Sequence, residues 1–163
     1  MELWVVALGA ATAGLVSFVE RDGECKYAPE VAGAINGTLL ATISMDPSVA
    51  SAATGMLFGW LLAGGARRKA DYLALATYVL LFVMLNEYVY LIPATVMGFA
   101  AFLDWKLAGK QGILGKRMLT HAAAITLIPI MGWMPIATTL FYDGAYRSAK
   151  ITYKGLPGKA RLS

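Results

Sequence analysis

The sequence predicts an all-α integral membrane protein: a helical bundle of about seven short membrane segments, one N-terminal helix followed by up to three helical hairpins. Three observations carry that expectation. Hydrophobic residues make up 58% of the 163 residues and charged residues only 15%, against about 25% charged in an ordinary globular chain. The charges are also confined. Residues 3–19, 31–45, 47–66, 72–86, 88–103 and 118–142 contain no Asp, Glu, Lys or Arg, whereas a helix on a water-soluble surface needs a polar face. The third observation is where the fourteen lysines and arginines fall. They group as Arg21 and Lys26; Arg67, Arg68 and Lys69; Lys106, Lys110, Lys116 and Arg117; and Arg147, Lys150, Lys154, Lys159 and Arg161. With one helix and three hairpins, every one of them lies on a single side, opposite Glu2, Asp46 and Glu87. A four-crossing alternative divides the same cations eight against six. Because lysine and arginine mark the cytoplasmic side, the seven-segment arrangement is preferred, with the N-terminus outside and the C-terminus cytoplasmic.

The expected segments are 3–19, 31–45, 47–66, 72–86, 88–103, 118–131 and 134–142, within one polytopic domain over residues 1–145. The first is read as a retained helix rather than a signal peptide. No basic residue precedes it, and its small residues sit inside the apolar run rather than after it. Residues 31–66 and 72–103 are each too long for one crossing and short for two, and each is interrupted by one acid at its sixteenth position, Asp46 and Glu87. This suggests a duplication with an offset of 41 residues. Ala53, Thr54, Met56, Phe58 and Leu62 then overlie Ala94, Thr95, Met97, Phe99 and Leu103. Each copy would form a hairpin turning at Asp46-Pro47-Ser48 or Asn86-Glu87, where carboxylates meet interfacial water. A third and weaker copy spans 118–142, with Trp133 between Pro129 and Pro135 at its apex. Length opposes the scheme, since 15 residues rise about 22 Å against a hydrocarbon core of about 30 Å. Gly33/Gly37, Gly55/Gly59 and Ala10/Gly14 have the small-xxx-small spacing that lets helix backbones approach closely. Residues 146–163 form a basic tail, expected to contact anionic lipid headgroups.

Chemistry-bearing groups are few. Cys25 is the only cysteine and His121 the only histidine, which excludes an internal disulfide, an all-cysteine metal site and any site needing two histidines from one chain. There is no phosphate-binding Gly-Lys-Ser/Thr loop, zinc-protease motif or nucleophile elbow. No catalytic residue, metal or cofactor is assigned. Glu87 and Asn86 lead the candidates for ligand binding or translocation, because an ionisable group at an apex between apolar limbs is a functional hypothesis in itself. Asp46 and Asn36 follow. The Asn36-Gly37-Thr38 sequon is discounted, since it lies inside an apolar segment. Asp104, read as a helix-end carboxylate pairing locally with lysine, and His121, able to titrate near neutral pH or to ligate a metal beside Asp104, are weaker.

The net charge of +4 reflects the loops rather than a nucleic-acid surface. Expected partners are the lipid bilayer and either further copies of the chain or other membrane subunits. A transporter or channel component for an ion or small solute is the leading expectation. A non-catalytic subunit of a larger complex comes next, and a membrane-embedded enzyme acting on a lipid or isoprenoid through Asp104 and His121 comes third.

Overall fold

A computed structural model describes residues 1–22, 28–85, 88–107 and 117–154, and every regular element among them is helical. In chain order these are α1 (Leu3–Asp22), α2 (Ala28–Ile43), α3 (Pro47–Leu62), α4 (Lys69–Leu85), α5 (Leu91–Leu107), α6 (Met118–Thr126), α7 (Ile128–Met131) and α8 (Met134–Lys154). Local chemistry sets most of the boundaries. Asp46 caps α3 by accepting from the Ser48 and Val49 N–H groups at 3.0 and 3.4 Å, and Pro47 occupies the first helical position, where a missing N–H costs nothing. The same helix ends on a glycine in the left-handed region. Gly64 has φ +77° and donates to Leu61 O, while Gly65 donates to Trp60 O, which is the Schellman pattern. That stop trims the expected 47–66 segment to Leu62. Pro129 cannot donate to the preceding turn, so α6 and α7 form one pass broken at Leu127. Gly132, at φ +67°, turns the chain into α8.

Seven passes result, although they do not associate as closed hairpins. The limbs α2 and α3 barely touch; instead α2 packs along α4, α3 along α5 and α1 along α8. Glycines give the direction and closeness of these seams. A Cβ on Gly33 or Gly37 would lie 2.5 or 2.3 Å from the Ala70 or Ala74 carbonyl oxygen. On Gly55 or Gly59 it would lie 2.2 or 2.0 Å from that of Ala94 or Gly98. Both seams advance in the same sense, so the helices in each pair are parallel. The small-xxx-small expectation therefore holds at these four positions. In α1, Gly14 abuts the Tyr142 carbonyl and Gly9 abuts Ile43, making α1 parallel to α8 and antiparallel to α2.

This path carries the ends of α1, α3 and α5 and the starts of α2, α4 and α6 to one end of the bundle. Arg67, Arg68, Lys69, Lys106, Arg117, Arg147 and Lys150 belong to that end, and Asp46 to the other. Helix α8 continues through the first half of the expected tail, and Tyr146 and Tyr153 pack edge-on against Phe18 of α1.

Size and polarity are distributed unusually between inside and outside. Alanines 10, 41, 50, 52, 53 and 124 are buried, as are Ser44, Ser51, Asn36, Thr120 and Thr138. Leu91, Val83, Met84 and Ile130 remain 72–77% exposed. Among the described residues, no helix is long and apolar enough to cross a membrane. The reasons are local. Helices α2 and α3 have 16 residues and rise about 24 Å, α1 ends in Glu20-Arg21-Asp22, and α8 carries Asp143, Arg147 and Lys150.

Candidate functional site

Seven passes built around small residues leave a central cavity of about 120 Å³. It runs from the middle of the bundle toward the cationic end. Asn36 of α2, Tyr78 of α4 and Thr138 and Thr139 of α8 line its inner part. Trp60 of α3, Asp71 of α4, Asp104 and Trp105 of α5 and Arg117 before α6 line the part nearer the cations. Apolar clusters occupy other parts of the bundle, one of Ala52, Met97, Ala124, Leu127 and Met131 and another of Val6, Ala10, Ile43 and Val49.

Each polar group has a structural reason for its place. Asp71 accepts from the N–H groups of Arg67 and Arg68 at 3.0 and 2.9 Å, securing the start of its own helix. Asp104 does the equivalent for a different helix. Arg117 provides no side-chain cap for α6; instead Asp104 Oδ1 accepts from Leu119 N at 3.1 Å, and Oδ2 accepts from Thr120 N and Oγ1 at 2.7 and 2.6 Å. The expected local pairing of Asp104 with lysine is replaced by this cross-helix cap, and Asp104 is only 2% exposed. Tyr78 Oη lies 3.0 Å from Thr54 Oγ1 and 3.4 Å from Ser44 Oγ, joining α4 to α3 and to the turn that follows α2. Asn36 Nδ2 donates to Tyr142 Oη at 3.5 Å.

Arg117, which lines the cavity, forms a cluster with His121 and Asp143. Arg117 Nη1 lies 2.8 Å from Asp143 Oδ1, and His121 Nε2 lies 3.6 Å from Asp143 Oδ2. His121 Nδ1 is 2.6 Å from the Arg117 carbonyl oxygen. A carbonyl only accepts, so Nδ1 must carry a proton, and Nε2 attracts Asp143 only when it is protonated as well. Burial opposes the charge of Arg117, but Asp143 first and then Tyr142, Asp104 and Tyr146 hold its guanidinium above the ordinary arginine range. The Arg117 guanidinium also lies over the Tyr142 ring, 5.8 Å from its centre.

Of the residues singled out from sequence, Asn36 and Asp104 line the cavity and His121 adjoins it. Asp46 lies at the opposite end, where its oxygens cap α3 and approach Met1 N at 3.3 Å. Asn86 and Glu87 fall outside the described residues. Among the described residues, no group of three or more histidine, cysteine and acidic side chains is gathered as for a metal ion. Sequence reasoning missed Asp71, Arg117 and Asp143, which sit in or beside basic loops and read there as solvated charges. The available signal was position: they and Asp104 are charges directly flanking apolar segments. No known protein family, curated protein or solved structure matches the chain.

Proposed function

We propose that the chain is a multi-pass membrane protein that carries an ion or small polar solute across the bilayer, with the central cavity as its binding site. The observation that carries this reading is the inversion of polarity. Large apolar side chains such as Leu91, Val83 and Ile130 face outward, while Asp71, Asp104, Asn36 and three threonines face inward around a cavity. Water penalises such a surface, whereas hydrocarbon favours it and drives polar groups toward the bundle axis. Passes of 16 or 17 residues fall about 5 Å short of a typical hydrocarbon core, a mismatch that local thinning accommodates at modest cost. Exposed Trp4, Tyr88, Tyr90 and Trp133 suit the interface at the acidic end, and the cationic end suits anionic headgroups on the cytoplasmic side. With its lining between mid-bundle and that end, we read the cavity as the inward-facing state of the cycle. Passage would then require the Met97 and Val49 packing to part.

The test is solute-driven current in proteoliposomes, surveyed over inorganic cations, ammonium compounds, polyols and carboxylates. Asn36→Leu and Tyr78→Phe are expected to lower flux at least tenfold with thermal stability retained. Wild-type flux in both variants would overturn the assignment of the cavity, and loss of flux in Glu87→Gln alone would move the pathway to the apex between α4 and α5.

A further inference from the structure

We infer that the guest of this cavity is an organic ammonium ion, a compact amine bearing an apolar or aromatic body. The inference deepens the transport reading and rests on the same cavity. It follows from counting what the wall still has to offer. A threonine hydroxyl has one hydrogen and two lone pairs. Thr120 spends its hydrogen on Asp104 Oδ2, Thr138 on Met134 O and Thr139 on Ile136 O. Toward a guest, all three hydroxyls are therefore acceptors only. The two lining carboxylates, Asp71 and Asp104, already accept from Arg67 N, Arg68 N, Leu119 N and Thr120, and what they still offer a guest is negative charge. The lining cation, Arg117, is committed to Asp143 at 2.8 Å and lies over the Tyr142 ring, so an anion would have to displace an existing ion pair. Donors are present too, in the Asn36 amide, the tyrosine hydroxyls and the two indole N–H groups, so the selection rests on charge: two carboxylates against one paired arginine make a net negative lining that favours a positive guest.

The aromatic content points the same way. Trp60 and Trp105 meet edge to face with centres 6.3 Å apart, and tryptophan presents the strongest π-face to a cation. A cavity of about 120 Å³ is somewhat smaller than the engineered apolar cavity of about 150 Å³ that holds the six heavy atoms of benzene, which limits the apolar body of the guest to about six heavy atoms. A bare metal ion would leave most of that space and both indoles unused.

The experiment is calorimetric titration of the full chain in lipid nanodiscs with benzylammonium, benzyl alcohol and benzoate, three probes of one shape and different charge. Benzylammonium is expected to bind at least tenfold more tightly than either of the others. Thr138→Val and Thr139→Val, close in shape but without the acceptor, should each weaken it about threefold to tenfold. Asp71→Asn, which keeps an oxygen for the Arg67 and Arg68 N–H groups, should weaken it more than tenfold. Benzyl alcohol binding as well as benzylammonium, tighter binding of benzoate, or unchanged affinity in the two threonine variants would overturn the inference. Because the threonine variants leave every charge and cap in place, the result does not hinge on Asp71→Asn folding. Binding without current across proteoliposomes would sink transport while leaving the ammonium site standing, and current carried by other solutes without amine binding would do the reverse.

Discussion

Asp104 supplies from α5 the N-terminal cap that α6 lacks, accepting three hydrogen bonds with one ionised side chain. Hydrogen bonds to charged groups contribute about 1.5–3 kcal/mol, and stranding buried donors costs a comparable amount. Asp104→Ala is therefore expected to destabilise the protein by about 3 kcal/mol, since two backbone N–H groups and the Thr120 hydroxyl lose their acceptor together. Asp46→Ala removes an ordinary cap and should cost about 1 kcal/mol. Unfolding by denaturing detergent, monitored by circular dichroism, measures both. Equal losses would show that the cross-helix cap has no special weight. Asp143 poses a different question, because its Oδ2 has no hydrogen-bond partner among the described residues and faces His121 Nε2 at 3.6 Å. Its contact with His121 is attractive only while the ring is doubly protonated, whereas its contact with Arg117 persists throughout.

At the scale of elements, the two parallel seams rest on missing side chains. A Cβ on Gly59 would stand 2.0 Å from the Gly98 carbonyl oxygen, while one on Gly144 would meet nothing within 4 Å. Gly59→Ala should destabilise by about 1–3 kcal/mol through overpacking. Gly144→Ala should stabilise by about 0.5–1 kcal/mol, since alanine orders more cheaply in a helix. The same unfolding assay should give opposite signs, and a shared sign would contradict the seam geometry. The glycine spacing was legible in the sequence, and so were most helix positions, because apolar runs bounded by Pro47, Pro129 and the charged loops leave little freedom. The partners across the seams were not. Spacing shows that Gly55 and Gly59 want a close neighbour, but not whether it is α2, the other limb of the expected hairpin, or the more distant α5. The adjacent limb was the simpler expectation, and the helices instead pair in parallel. The cavity was only partly legible for a related reason. Asn36 stood out as an amide in an apolar run, while Asp71 and Asp143 became site residues only once α4 and α8 brought them inward.

Across the whole molecule, the interior is assembled mainly from alanine, glycine and hydroxyl side chains, and bulky apolar groups are left outside. Folding thus removes little large apolar surface from contact with its surroundings. Backbone-to-backbone seams, helix caps and the polar cavity carry much of the specificity, so the cavity belongs to the structure as much as to its function. No residue pattern announces a space at the cationic end, because a void is a property of how several helices fail to fill one volume.

The inverted distribution also has a calorimetric consequence. Heat capacity rises on unfolding when apolar groups enter water, by about 12–15 cal/mol/K per residue in ordinary globular proteins. Here Leu91, Val83 and Ile130 already face outward in the folded state, and in a bilayer or detergent they keep an apolar surrounding after the helices separate. Scanning calorimetry in nanodiscs is therefore expected to show a heat-capacity step less than half the ordinary per-residue value. A step of ordinary size would mean that these faces are wetted on unfolding. With a small step, the stability curve is nearly straight rather than domed, and this bundle should lose stability steadily on warming with no cold-denaturation limb within reach.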